Sequence, residues 1–414
     1  MSIQPDINIP SKLPNLPIET NLFDSGLTMY NINANAELLR ISFVFNAGKS
    51  LSHNPALAQI VQNLFLSGTK SMSSADLNER LDLLGAYIDT DLHEDYAIVH
   101  VYCLTPHLVA ALAIIKSVLN DFECKYEELE IEKQRRLQQL EISLGKTSVL
   151  ARRAFNIHFF PEQKVFRNID PTSILSIQVE EVQDFFYKNY CSGLNYIVSS
   201  GTIEPKLFAD FEAFYSPKQN YIEPQNFGNG KRIDVNKENA LQSCIIFGIP
   251  SVPRTHSDYP ALSVSNTLLG GYFGSRLMKK VREELGLTYG ISSILQTNNF
   301  ASFQIISTEV KNESREEAIE AIKNEIERFT SESCSDKEIR TAINYMAGNL
   351  LRAFDGKINQ ADRLITIKTL GLAYDHFQSY LDTILICDSL TIQRVSQRYF
   401  IYDQYLKVIC GNFS

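Results

Sequence analysis

"LNERLDLLGAYID", residues 77–89, and "MKKVREELGLTYG", residues 278–290, follow one local pattern. In each, a helical run leads into a glycine, Gly85 or Gly286, and a β-rich stretch begins at once. Glycine just beyond a helix readily takes the left-handed conformation that closes it, so both stretches predict helix, stop and strand. The match extends outward on both sides. "LLRISFVFNAG" (38–48) and "LQSCIIFGIPS" (241–251) read as apolar strands, each leading through a polar turn to a Pro-Ala-Leu helix start at Pro55 or Pro260. Long alternating strands follow, "DYAIVHVYCL" (95–104) and "FASFQIISTEV" (300–310), and then an amphipathic helix in each half. The long helices "KYEELEIEKQRRLQQLEISL" (125–144) and "SDKEIRTAINYMAGNLLRAF" (335–354) come next. Each half closes on helix, strand and glycine, in "VEEVQDFFYKNYCSGLNYIVSSG" (179–201) and "IQRVSQRYFIYDQYLKVICG" (392–411).

Self-similarity over most of the chain, with a period of about half its length, is an internal duplication. The sequence therefore predicts an α+β protein of two homologous domains, each a mostly antiparallel sheet packed with helices. Their expected bounds are 1–217 and 238–414, with a linker at 218–237 where "SPKQNYIEPQNFGNGKRIDVNKE" (216–238) is polar and carries Pro and Gly.

Composition narrows the function. The 414 residues are 44% hydrophobic and 21% charged, as in globular proteins, and are enough for two cores. A net charge of −9 without a basic run makes nucleic acid or an anionic lipid surface a poor partner. The start, "MSIQPDINIPSKLPNLPIET", has no basic region followed by an apolar core, and no window has the length of a membrane span, so the expected location is the cytoplasm. Seven scattered cysteines without a CxxC pair fit reduced, mostly buried thiols and exclude a thiolate zinc site.

"NPALAQIVQNLFLSGT" (54–69) raises the chemical question. Asn54-Pro55 is a good helix opening, and Ala56, Leu57, Ile60, Val61, Leu64 and Phe65 share one apolar face. Gln59, Gln62 and Asn63 cluster on another. Read alone, three carboxamides are the polar face of a half-exposed helix.

The whole arrangement resembles the pitrilysin/insulinase family of zinc metallopeptidases, in particular its mitochondrial-processing-peptidase-like bacterial branch. The residues that carry the resemblance are "FVFNAG", "NLFLSGT", "LDLLGAYIDT", "NYIVSSGTI" and, most specifically, "GGYFGSRLMKKVREELGLTYGISS" (270–293). Active members have His-x-x-Glu-His before Gly-Thr and a glutamate on a second helix. Two imidazoles one turn apart and a carboxylate hold zinc, while the intervening glutamate takes a proton from zinc-bound water. Counting back from Gly68-Thr69, this chain has Gln59, Gln62 and Asn63 at those positions, and Gln139, 76 residues after Asn63, where the last ligand belongs. A slip to Gln138 or Leu140 is open, and Glu141 lies close by. Carboxamides are poor zinc ligands, and Gln62 cannot act as a general base. The resemblance thus implies a degenerate site: no metal or cofactor held by this chain, with zinc only in a partner.

The family's second half supplies an arginine and a tyrosine that face zinc across a clam-shell chamber, and Arg282 and Tyr289 match them. A fixed guanidinium and a phenol suit substrate carbonyls and developing oxyanions. Some bacterial relatives divide the work between a zinc-bearing chain and one lacking the zinc motif but keeping this pair. The expectation is therefore a non-catalytic subunit of a heterodimeric peptidase, supplying Arg282 and Tyr289 in trans. The alternative is a non-enzymatic peptide-binding or scaffold protein of the same fold, for which a homodimer is one arrangement. Extended peptide substrates would add a strand at Ala86, Tyr87, Ile88, Asp89 and Thr90, where Asp89 and Asp91 weakly favour basic peptides.

Other constellations carry less. His93, His100 and His107 recur every seven residues, but along a strand that spacing is roughly 23 Å, and surface positions are expected for them. "LLGGYFGSRL" (268–277) lacks the Gly-Lys-Ser/Thr ending of a phosphate loop, and no Gly-x-Ser-x-Gly elbow exists.

Overall fold

The computed structural model describes residues 11–35, 37–217 and 226–413. Its first sheet comprises β1 (Ile18–Leu22), β2 (Thr28–Ile32), β3 (Leu38–Phe45), β4 (Tyr87–Leu92), β5 (Ala97–Leu104) and β6 (Leu194–Ser200), in the order β1-β2-β6-β3-β5-β4. The second comprises β7 (Arg232–Asn236), β8 (Gln242–Pro250), β9 (Thr288–Thr297), β10 (Ser302–Lys311) and β11 (Leu406–Gly411), in the order β7-β11-β8-β10-β9. With β1 set aside, the sheets match strand for strand. The one parallel pairing in each, β2 with β6 and β7 with β11, falls at the same place, and all other pairings are antiparallel.

The helices of the first half are α1 (Leu57–Asn63), α2 (Ser74–Leu83), α3 (Leu108–Asp121), α4 (Tyr126–Leu144), α5 (Thr147–Phe159), α6 (Pro171–Leu175) and α7 (Val179–Phe186). Those of the second are α8 (Tyr259–Asn266), α9 (Arg315–Ser331), α10 (Asp336–Arg352), α11 (Lys357–Leu370), α12 (His376–Leu385) and α13 (Ser389–Tyr399). The glycine stops behave alike: Gly85 after α2 has φ +57°, and Gly286 after the π-helical segment Met278–Glu284 has φ +65°. Both values are left-handed, where a side chain would be strained. One face of each sheet carries its own half's helices and closes a large apolar core.

The opposite faces are covered by exchange. α5, from the first half, packs on β8 and β11 of the second sheet through Ala151, Phe155 and Phe159, all fully buried. α11, from the second half, packs on the first sheet, setting Ala361, Leu364 and Ile365 against Ile32, Val44, Ile98 and Val198. Gly248 on β8 makes room for α5, because a Cβ there would lie 2.2 Å from the Phe155 ring. Arg40 on β3 reaches α11, its Nη2 donating to Asp362 Oδ1 at 2.6 Å and to the Ile358 carbonyl at 3.1 Å. Between the hairpin turns, Asn299 Nδ2 donates to Asp95 Oδ2 at 2.5 Å and to the Thr369 carbonyl at 2.9 Å. The halves are therefore tied through helices as well as through the connecting chain.

Two details differ from the sequence reading. Of the expected linker at 218–237, residues 218–225 lie outside the described residues, but Arg232–Asn236 is strand β7. Its Ile233 and Val235 alternate with polar residues and pack under α5, a short edge-strand pattern that the flanking Gly and Asn residues mask. α1 also begins later than Asn54-Pro55 suggests. Asn54 Oδ1 accepts the Ala56 amide at 2.9 Å in a turn that precedes the helix, and its Nδ2 donates to the Ser173 carbonyl. No helix among the described residues is long and apolar enough to cross a membrane.

Candidate functional site

α1 buries the face its spacing predicts: Ala56, Leu57, Ile60, Val61, Leu64 and Phe65 are all in the first core. The carboxamides do not share one environment. Gln62 is only 3% exposed, and its Oε1 lacks a hydrogen-bond partner, whereas Gln59 is half-buried and Asn63 is exposed. Gln59 Nε2 donates to Asn63 Oδ1 at 3.2 Å, the i,i+4 contact of one helix face, and Asn63 Nδ2 donates to Glu132 Oε1 at 2.6 Å. Glu132 on α4 is 5% exposed, and its other oxygen accepts from Arg135 Nε at 2.7 Å.

The partner of Asn63 across the helices is thus Glu132, two turns before the position that counting assigned. Gln139 is exposed and accepts a long 3.5 Å bond from Arg136 Nη1; Gln138 and Glu141 are exposed as well. A count along the sequence gives no crossing angle between α1 and α4, and that angle decides which turn of α4 meets Asn63. The donor set does not suit zinc. Three carboxamides are neutral, and the one buried carboxylate is already neutralised by the Arg135 guanidinium. Arg136 adds a second cation beside it, its pKa drawn below the ordinary value by burial, while Glu132 pulls the other way.

Arg282 and Tyr289 sit at the start of the second sheet's edge. β9 pairs with β10 in regular register as far as Thr308↔Ile291, and the next pair is Val310↔Thr288. Tyr289 and Gly290 therefore stand opposite the single residue Glu309, a β-bulge that re-aims a side chain. Threonines pin it: Thr288 Oγ1 donates to the Gly290 carbonyl at 2.9 Å, and Thr308 Oγ1 lies 2.9 Å from both that carbonyl and Thr288 Oγ1. Tyr289 is left 93% exposed. Arg282 lies in the last turn of the π-helical segment just before, with its guanidinium 4.6 Å above the ring of the exposed Phe273. Neither residue is tied into the protein by an ion pair or side-chain hydrogen bond among the described residues.

β4, which holds Tyr87, Ile88, Asp89 and Thr90, is the open edge of the first sheet and pairs only with β5; Ala86 is buried just before it. Asp91 is engaged in the sheet, its Oδ2 lying 3.2 Å from His100 Nε2. His100 corrects the expectation of surface histidines: it is 4% exposed, with Nδ1 2.8 Å from Ser42 Oγ, because its strand is covered on both faces. Burial, and then the Arg40 charge, lower its pKa. Five of the seven cysteines are buried and two half-buried, and burial raises every thiol, that of Cys103 to about 11. Among the described residues no three His, Cys, Asp or Glu side chains gather as a metal-holding group.

The family description "Insulinase (Peptidase family M16)" matches residues 29–158, and "Peptidase M16 inactive domain" matches 176–346. An uncharacterized zinc protease of Rickettsia felis is 21% identical over 379 residues, 89% of this chain and 90% of that protein. The uncharacterized zinc protease SCO5738 of Streptomyces coelicolor is 21% identical over 319 residues, 72% of this chain and 69% of its own length. Among solved structures, a peptidase M16 inactive domain from Pseudomonas fluorescens superposes with a TM-score of 0.88 at 18% identity, over 96% of this chain and 99% of its own. A protease from Helicobacter pylori gives 0.84 at 12% identity, over 96% and 100%. At such identities the structures speak for the fold alone.

Proposed function

The chain belongs to the M16 (pitrilysin/insulinase) peptidase family, and we propose that within it this protein is a zinc-less subunit of a heterodimeric peptidase acting on extended peptides. One observation carries the reading: two positions that should bind zinc, Gln59 and Asn63, are carboxamides bonded to each other and on to Glu132, which pairs with Arg135, and the position that should activate water is the buried carboxamide Gln62. That arrangement satisfies a carboxylate with a guanidinium and leaves no group to take a proton from water.

The second half supports a role beside a partner. Tyr289, aimed outward by its bulge, and Arg282, without a carboxylate of its own, are suited to a substrate carbonyl held at the zinc of a homologous chain. A second reading, a scaffold that binds peptides without assisting catalysis, draws support from the Arg282–Phe273 contact, which fixes the guanidinium without a substrate. The test is turnover of an extended peptide by this chain mixed with a zinc-bearing homologue. Arg282→Ala should lower kcat about a hundredfold, the scale for removing one oxyanion donor, with assembly unchanged in gel filtration. Unchanged turnover would leave the scaffold reading.

A further inference from the structure

α5 packs mainly on β8 and β11 and so covers only part of its sheet face. Beyond its first turn lies a cavity of about 620 Å3, whose lining includes Ser148, Val149 and Arg152 of α5, Cys244 of β8, Tyr289 of β9 and Glu309 of β10. Polarity along β10 changes where the helix stops: Phe303 and Ile305 lie in the apolar cluster under α5, and Ser307 and Glu309, next on that face, line the cavity. A face that turns polar where its cover ends is built to stay wet or to receive a polar group.

Arg152 is the unusual member. Its guanidinium is half-buried and lies 5.7 Å over the Phe155 ring, yet no carboxylate pairs with it among the described residues. Its neighbour Arg153, by contrast, donates to the Ile169 carbonyl. Burial draws the pKa of Arg152 down, while the nearby Cys244 thiol pulls the other way. Glu309, the cavity's one carboxylate, is exposed. A half-buried cation without a counter-ion is open to an acceptor, and a planar guanidinium matches a carboxylate with two parallel hydrogen bonds.

We propose that this cavity is a carboxylate-binding pocket for an extended peptide lying along the β9 edge, with Arg152 as its anchor and Tyr289 at its rim. Val149, Cys244 and Ile246 provide apolar lining for a neighbouring side chain. The carboxylate is either the peptide's C-terminus or an acidic side chain. The inference rests on reading the chain as a peptide-binding member of its family, but it needs neither zinc nor a partner chain.

The experiment is fluorescence polarisation with the full chain and three dye-labelled heptapeptides that are otherwise identical. One ends in a free carboxylate, one in an amide, and one in an amide with a single internal glutamate. At least one acidic peptide should bind roughly tenfold tighter than the neutral one, the scale of a charge-assisted hydrogen bond, and which one identifies the source. Arg152→Gln should remove the preference and Arg152→Lys should keep part of it. Should Arg152→Gln fail to fold, Glu309→Gln decides, because removing that carboxylate should strengthen the preference. Equal binding of all three peptides, no binding of any, or a preference indifferent to these substitutions would overturn the pocket. Turnover of the mixed complex with Arg282→Ala is a separate readout, so the failure of one assignment is distinguishable from the failure of the other.

Discussion

β4 and β9 hold the same place in two sheets of one plan, and they differ in how they present side chains. β4 pairs with β5 residue for residue from Tyr87↔Tyr102 to Leu92↔Ala97, whereas β9 begins with a bulge that leaves Tyr289 almost fully exposed. The helices before them differ as well: α2 is a regular α-helix with a complete capping box at Ser73, and its counterpart, Met278–Glu284, is wound as a π-helix. π-helical turns and bulges are local irregularities that recur next to functional sites. Packing is shared between the halves, while the polar side chains Gln59 and Asn63 of α1 in the first are bonded to each other and on to Glu132, and Tyr289 at the edge of the second is left exposed.

The exchanged helices allow the largest test of that comparison. Phe155→Ala empties a site among Phe159, Phe160 and Phe303 and should cost about 3–5 kcal/mol in chemical denaturation. Leu364→Ala, the matching deletion under α11, should cost about 2–5 kcal/mol and less than Phe155→Ala, since a leucine leaves a smaller void than a phenyl ring. Equal costs would show that the two exchanges carry the same weight.

Smaller effects sharpen the contrast at the edges. Thr308→Val removes the hydroxyl that joins Thr288 and Gly290 and should cost about 1–2 kcal/mol; a loss of Tyr289 order, read from the aromatic NMR signals, should accompany it. Asn63→Ala leaves Glu132 with Arg135 alone and should cost about 1 kcal/mol, measured as a shift in denaturation midpoint at constant slope.

The smallest effect is in pH. The His100 pKa is lowered in the fold, so as pH falls the unfolded chain takes up that proton first. Stability from this group is complete above the ordinary histidine value of about 6.5 and is lost as pH falls through that value toward the folded one. Melting temperature between pH 7.5 and 5.5 should drop less steeply in His100→Asn than in the wild type.

Much of the architecture was legible because it rests on local rules. Gly85 and Gly286 announce helix stops, and the spacing of Ile60, Val61, Leu64 and Phe65 marks the buried face of α1. What a helix face covers is not local. The spacing of Ala151, Phe155 and Phe159 shows that α5 is amphipathic, but nothing in it says that the sheet belongs to the other half. The same limit explains Glu132: the acidic run on α4 was visible, and the turn that meets Asn63 depends on helix crossing. The bulge at Tyr289 left one hint, the flanking Gly286 and Gly290, and Arg152 left none, since its significance is the absence of a partner in space.

Carboxamides and an arginine-paired glutamate in place of a zinc site is the assignment on which the proposed function rests. Its most direct test is a zinc titration of the isolated chain by calorimetry, with metal content measured after dialysis. No stoichiometric binding at micromolar zinc is the expected result. One zinc per chain, lost on substituting Asn63 or Glu132, would contradict it.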